Sequence, residues 1–274
     1  MSGRDAPNRS VKLVAFDVDG TLVGSDLRVS PRVREAVAAM RARGVLGTLV
    51  TGRMYRAALP YARMLEFETP IVCYQGAAVI DPRSGDRILD LPLSSGLARE
   101  VVDLAQRDGL HVQLYADDRY YCEERNAYSA LYAGVSGVEP LVVTSLHAAF
   151  AGRDATKAVI IAEPQVAAEC HLRMQLALGD RAYVTRSLPE FVEVMNPLVD
   201  KGRALRVVAE RLGVPIEAVM AIGDSWNDAP LLHAAGIGVA MGSAPQDLRD
   251  SADAVVADVE HDGVAEALER YVLR

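Results

Sequence analysis

Apolar residues in this chain come in short unbroken runs, and several of the runs stop at a polar cluster. Val11-Lys12-Leu13-Val14-Ala15-Phe16 is the first. Such a run reads as a buried parallel strand, since a strand covered on both faces is apolar at consecutive positions. Ser30-Pro31 then supplies an N-cap and a first helical residue. Val33, Val37 and Met40 share one helical face, and Gly44 closes that helix. Residues 46–50 form a second buried run, residues 54–65 a second helical stretch, and Ile71-Val72-Cys73-Tyr74 a third strand that stops at Gln75-Gly76. This βαβ alternation predicts an α/β fold built on a Rossmann-like parallel sheet.

The style then changes. Val79-Ile80 and Arg87-Ile88-Leu89 flank a turn-rich segment and predict a hairpin, and a second hairpin is predicted around Asp117-Asp118. Residues 158–162 and 182–185 read as strands and 165–178 as a helix. Over residues 90–189 strands and helices mix without polar clusters at strand ends, which predicts an α+β insertion. The α/β style returns after Asn196-Pro197, with a helix over 201–212, a strand over 219–222, a helix over 228–235, short strands over 237–240 and 254–256, and a last helix over 263–271.

Composition narrows the function classes. The net charge is −8 and no Lys/Arg block stands out, so neither nucleic acid nor an anionic membrane is an expected partner. No apolar run approaches the roughly 18 residues of a membrane span. Met1 to Ser10 lacks the apolar core of a signal peptide and reads as a loose tail. Cys73, Cys122 and Cys170 are scattered, with neither zinc nor disulfide spacing. Reduced thiols in the cytoplasm are the expectation.

The candidate chemistry sits where strands end or helices begin. Asp17-Val18-Asp19-Gly20-Thr21 follows the first strand, Thr51-Gly52-Arg53 the second, and Gly223-Asp224 the strand over 219–222. Asn227-Asp228 comes just after, and Asp200-Lys201-Gly202 opens a helix. Ligands of open α/β sheets bind beyond the carboxyl ends of the strands. Paired acids there, joined by a Thr, a Lys and a second acidic pair, point to a magnesium-phosphate site. Thr51 offers a hydroxyl and Gly52 a close N–H for phosphate oxygens, and Lys201 adds a charge near a helix N-terminus. If Thr51 and Lys201 touch one phosphate, the long segment between them must leave the core and return. Trp226, inside the second acidic loop, reads as packing or as a substrate wall.

The five motifs in this order, closed by Asp262-Gly263-Val264-Ala265, resemble the Cof-type phosphatases of the haloacid dehalogenase superfamily over nearly the whole chain. The resemblance implies a catalytic core from residues 1–89 and 190–274 and an inserted C2B-type cap from residues 90–189 that sets specificity. It implies Mg²⁺-dependent hydrolysis of phosphate monoesters of small metabolites through an aspartyl phosphate. Asp17 is then the nucleophile, and Asp19 the acid that becomes a base. Asp17, the Asp19 carbonyl and Asp224 are metal ligands, and Asp228 either orients a metal-bound water or holds Lys201. Thr51, Gly52, Lys201 and Asn227 contact the phosphoryl group. Arg53 steadies either the substrate or a neighbouring acid. Relatives carry Asn-Gly-Ala where this chain has Gln75-Gly76-Ala77. The rivals are a phosphotransferase or phosphomutase on the same fold and a non-catalytic sugar-phosphate sensor. The expected partner is a small phosphorylated metabolite, bound by a monomer or homodimer.

Overall fold

The computed structural model describes residues 10–274. The tail expected over Met1 to Ser10 lies outside the described residues apart from Ser10, which is exposed. In chain order the elements are β1 (Leu13–Phe16), α1 (Pro31–Ala42), β2 (Leu46–Leu49), α2 (Tyr55–Met64), β3 (Ile71–Cys73), β4 (Ala78–Ile80) and β5 (Arg87–Asp90). There follow α3 (Ser95–Arg107), β6 (His111–Ala116), β7 (Arg119–Cys122), α4 (Ala127–Ser136), β8 (Leu141–Val142), α5 (Leu146–Ala149), β9 (Lys157–Ile161) and α6 (Pro164–Leu178). The chain ends with β10 (Tyr183–Leu188), β11 (Phe191–Met195), α7 (Lys201–Arg211), β12 (Val219–Gly223), α8 (Ala229–Ala234), β13 (Ile237–Ala240), α9 (Gln246–Ser251), β14 (Ala254–Val255) and α10 (Gly263–Tyr271).

The first sheet has the order β14-β13-β12-β1-β2, and every pair in it is parallel. Both of its faces are covered, as the unbroken apolar runs require. Leu13 and Ala15 pack with Leu205 and Val208 of α7 and Leu231 and Leu232 of α8. Val14 and Phe16 point the other way, into a cluster with Val33, Val37 and Met40 of α1 and Val264 and Leu268 of α10. Ser30 caps α1 by accepting from the Val33 N–H at 3.1 Å, as its position before Pro31 predicts.

The third strand departs from the simple pattern. β3 touches β2 through one parallel bridge, Val50 to Val72, and otherwise pairs antiparallel with β4, which pairs with β5. The reason lies just after it. Tyr74, Gln75 and Gly76 all have positive φ, of 54°, 61° and 101°, so the chain reverses at once instead of entering a crossover helix.

The second sheet has the order β10-β11-β9-β6-β7-β8, antiparallel except for β7 with β8. Its last strand, β11, runs to Met195, past the expected end of the insertion at 189. One face packs on α3 and α6 through Val101, Ala105, Cys170 and Met174. The other turns Tyr115, Val159 and Phe191 toward the first sheet's cluster. The Asp117-Asp118 hairpin is as predicted, with φ of 52° and 54° at its two turn residues. No helix among the described residues is long and apolar enough to cross a membrane.

Helices α7 and α8 meet at a glycine. A Cβ on Gly202 would stand 2.2 Å from the Pro230 carbonyl oxygen, so only the bare α-carbon permits this approach. Gly202→Ala should therefore cost roughly 1–3 kcal/mol by overpacking. It should also displace Lys201, its neighbour. Chemical denaturation reads the first effect, and an unchanged midpoint would mean that the two helices are free to separate.

Candidate active site

Three parallel strands end side by side. Phe16, the last residue of β1, lies opposite Leu49 of β2 and Ile222 of β12. The residues that follow each strand therefore leave the sheet at one edge: Asp17 from β1, Thr51 after β2, and Asp224 after β12. Asp17 N–H still donates to the Ile222 carbonyl at 3.0 Å, which fixes where its side chain departs. Helix α7 adds Lys201 from its first turn, and Asp200 caps that turn by accepting from the Arg203 N–H at 2.6 Å.

Lys201 is the hub. Its Nζ lies 2.8 Å from Asp17 Oδ1 and 2.5 Å from Asp228 Oδ1, and all three residues are buried. The second Asp228 oxygen accepts from the N–H groups of Asp224 and Ser225, at 3.1 and 3.0 Å. Asp228 thus holds Lys201, one of the two roles open to it. Burial alone would push the lysine toward its neutral form, but Asp17 and Asp228 more than offset it and hold the ammonium above its ordinary value.

The acids remain under-compensated. Burial, with the Asp228 charge behind it, raises the Asp17 carboxyl well above the usual carboxylate range although Lys201 opposes the shift. Burial and Asp228 likewise push Asp224 up to about 7, against Lys201 and a 3.1 Å hydrogen bond from the Thr21 hydroxyl. Oxygens of Asp17, Asp224 and Asp228 lie within 4.8 Å of one another. Three converging carboxylates around one ammonium are the donor set of a hard divalent cation. Since Asp228 is spent on Lys201 and two N–H groups, Asp17 and Asp224 are the carboxylates with oxygens to spare. Gly20, at φ +80°, makes room for the second of these: a Cβ there would lie 2.2 Å from Asp224 Oδ2.

Asp19 faces elsewhere. Its carboxylate is gripped by Arg53 through Nε at 2.8 Å and Nη2 at 2.6 Å, and the Arg53 guanidinium lies over the Tyr61 ring. Arg53 thus steadies a neighbouring acid. Asp19 keeps 41 % of its side chain exposed, toward a cavity of about 210 Å³. Asp17, Gly52, Asp224 and Asn227 line the same cavity, whereas Thr51, Lys201 and Asp228 sit behind its wall. A larger depression of about 380 Å³ beside Arg206, Glu217 and His233 contains none of the strand-end acids, so the smaller cavity is the candidate site.

The opposite wall is made by Tyr132, Val135, Leu188 and Phe191, with a buried ion pair between Lys157 and Glu193 at 2.9 Å. Lys157 also donates to the Gly52 carbonyl at 3.1 Å, and the Ser187 hydroxyl donates to Glu193. Sequence reasoning passed over these residues. A usable signal exists: Glu193 is one charge inside Phe-Val-Glu-Val-Met, and Lys157 heads an apolar strand. Trp226 fits neither of its expected roles, since it is 69 % exposed and outside the cavity wall.

The raised carboxyls carry a stability prediction. A folded state that binds protons more tightly than the unfolded chain loses stability as pH rises from the unfolded to the folded pKa. The metal-free protein should lose melting temperature between about pH 4 and about pH 7, the window set by Asp224. Asp224→Asn should flatten that slope and melt higher than the parent above the window. The gain should be roughly 2–4 °C for each kcal/mol of relieved repulsion. A variant that melts lower at high pH would show that the protein itself neutralises this carboxylate.

The sequence pattern of the haloacid dehalogenase-like hydrolases matches residues 14–268. A 5-amino-6-(5-phospho-D-ribitylamino)uracil phosphatase of Bacillus subtilis is 28 % identical over 94 % of this chain and 97 % of its own length. A pyridoxal phosphate phosphatase of Escherichia coli is 24 % identical over 96 % of this chain and 100 % of its own. A haloacid dehalogenase-like hydrolase of Bacteroides thetaiotaomicron superposes with a TM-score of 0.86 at 28 % identity, covering 95 % of this chain and 99 % of the other. The chain belongs to the haloacid dehalogenase-like hydrolases and is a phosphatase of that family.

Proposed function

We propose that this phosphatase hydrolyses monoesters of small metabolites in two steps, with Asp17 as the nucleophile. One observation carries the reading: Asp17 is anchored to Lys201 through Oδ1 and lines the cavity, which leaves Oδ2 to attack. In the first step Oδ2 bonds to phosphorus, the bond from phosphorus to the ester oxygen breaks, and Asp19 gives that oxygen a proton. In the second, Asp19 takes a proton from water. The resulting hydroxide attacks the aspartyl phosphate, and inorganic phosphate leaves while Asp17 is restored. A proton on Asp19 displaces one of its two bonds to Arg53, so the pair must loosen as substrate arrives. The Gly52 N–H, at the cavity, is suited to the phosphoryl oxygens, while the Thr51 hydroxyl behind it accepts from the Arg53 N–H at 3.1 Å. Mg²⁺, held by Asp17, Asp224 and the Asp19 carbonyl, would neutralise charge shared by the acids and the phosphoryl group.

We further assign residues 90–189, with β11 as their continuation, to a cap whose inner face sorts leaving groups. The ring and aliphatic side chains of Tyr132, Val135, Leu188 and Phe191 favour a flat, weakly polar body, and Lys157, Glu193 and Ser187 offer hydrogen bonds at its edge. Two of the relatives above are named for esters that carry a ring, pyridoxal phosphate and a substituted uracil. The three cysteines are free and buried, which supports a reducing compartment such as the cytoplasm.

Rapid-quench trapping tests the chemistry. Asp17→Asn should leave no covalent phosphoenzyme and almost no turnover. Asp19→Asn should slow the first step by about 10²–10⁴-fold for alkyl esters and by less for aryl esters, whose oxygen leaves without help. A phosphoenzyme that persists in Asp17→Asn would move the nucleophile to another residue. A metabolite screen tests the cap. Esters with an aromatic body should exceed hexose phosphates in kcat/KM by about tenfold or more, and Phe191→Ala should shrink that ratio. A ranking led by hexose phosphates would remove the apolar wall from substrate choice.

A further inference from the structure

We propose that Gln75 is a phosphoryl-binding residue, adding a donor to that of Asn227. The proposal rests on the reading of this cavity as a phosphate site. Gln75 is 1 % exposed yet lines the cavity. Its amide and that of Asn227 are half paired. Asn227 Nδ2 spends one of its two N–H groups on Gln75 Oε1, at 2.9 Å. Gln75 Nε2 is buried with no acceptor, and Asn227 Oδ1 is buried with no donor. Buried amide groups without partners are uncommon, and at a cavity they mark the place of a ligand atom.

The unpartnered Gln75 nitrogen lies beside Gly52. A Cβ on Gly52 would lie 2.3 Å from Gln75 Nε2, so the amide rests against the α-carbon of the residue whose N–H is suited to phosphoryl oxygens. The backbone fixes the amide there. Gln75 N–H donates to the Thr51 carbonyl and Tyr74 N–H to the Arg53 carbonyl, both at 3.0 Å. On the far side Gly76 abuts Asp200, where a Cβ would meet the carbonyl oxygen at 2.6 Å. Tyr74 and Gln75 accept left-handed backbone, with φ of 54° and 61°, to hold this course. The turn is thus wedged between the Thr51–Arg53 segment and the start of α7. An amide N–H held there complements an anionic oxygen, which a carbonyl in the same place would repel.

The test uses the full chain with Mg²⁺ and inorganic phosphate, with binding read by calorimetry and turnover read on one aryl and one alkyl ester. Gln75→Met keeps the length and removes the donor. It should raise the phosphate Kd by about 10- to 100-fold, the range expected for a hydrogen bond to a charged group. It should lower kcat/KM for both esters by the same factor. Its melting temperature should change little, because the unpartnered Gln75 Nε2 goes while Asn227 Nδ2 loses its acceptor. Gln75→Asn retains the amide but draws it back by one methylene, and should lose as much, which keeps the test decisive if the Met variant does not fold. An unchanged phosphate Kd in either folded variant would overturn the proposal, as would a parent protein that binds no phosphate. A loss confined to one ester would also overturn it, by moving the contact to the leaving group. Should the parent bind phosphate but hydrolyse no ester, and Gln75→Met weaken that binding, the phosphatase mechanism would fall while the role of Gln75 would stand.

Discussion

The Lys201 ammonium between Asp17 and Asp228 is the contact on which the rest of the site depends. It ties together three parts of the fold that are distant in sequence: the end of β1, the start of α7 and the turn after β12. Each has its own anchor. Parallel register sets the position of Asp17, the Asp200 cap sets the first turn of α7, and two N–H groups set Asp228. Removing the lysine would leave two buried carboxylates facing each other, a far larger loss than the pair's net contribution to stability. The interaction is best understood as a device for position: it orients one oxygen of Asp17 and leaves the other toward the cavity.

The second sheet is held over this hub by few but well-placed polar contacts. Helix α2 lacks a side-chain cap of its own, since Met54 stands at its N-cap. Asp118, at the tip of the β6–β7 hairpin, supplies one from across the cleft. Its carboxylate accepts from the Arg56 N–H at 3.0 Å, from Arg56 Nε at 3.2 Å and from the Tyr74 hydroxyl at 2.8 Å. An acid at a helix N-terminus meets both unsatisfied N–H groups and the positive end of the helix dipole. Lys157 makes the second bridge, from β9 to the Gly52 carbonyl. Lys157 ends on Gly52, next to Arg53, and Asp118 on Tyr74, whose N–H donates to the Arg53 carbonyl, so the arrangement of the second sheet and the grip on Asp19 are mechanically linked.

How much of this is legible in the sequence follows from how local each feature is. The acids at the ends of β1 and β12 are legible because strand ends are marked by runs of apolar residues that stop abruptly, and the parallel sheet brings such ends together. The capped start of α1 and the hairpin at Asp117-Asp118 are legible because turn and cap chemistry depends on a few adjacent residues. The antiparallel pairing of β3 is not, since it follows from left-handed backbone at Tyr74 and Gln75, residue types that carry no such preference. The Lys157–Glu193 pair is hidden for another reason: its partners meet across neighbouring strands, and neither charge predicts the other. The binding of Asp19 by Arg53 lies between these cases. The two motifs announce themselves, but only the alignment of β1 with β2 tells which acid the arginine reaches.

Several unfavourable features of the molecule meet in one place. Carboxyls raised by burial, the left-handed Gln75 and an amide pair with unpartnered atoms all border the same cavity of about 210 Å³. A protein stays folded with such a cluster only if the surrounding structure over-determines it, and here three aligned strand ends and a capped helix do so. The features also share a sense. Excess negative charge on one side asks for a cation, and an unpartnered amide N–H on the other asks for an anionic oxygen. A cation and a phosphoryl group bound together relieve both, each neutralising the field the other would otherwise meet. Such complementarity to the pair is the electrostatic condition that the metal-assisted mechanism proposed above requires.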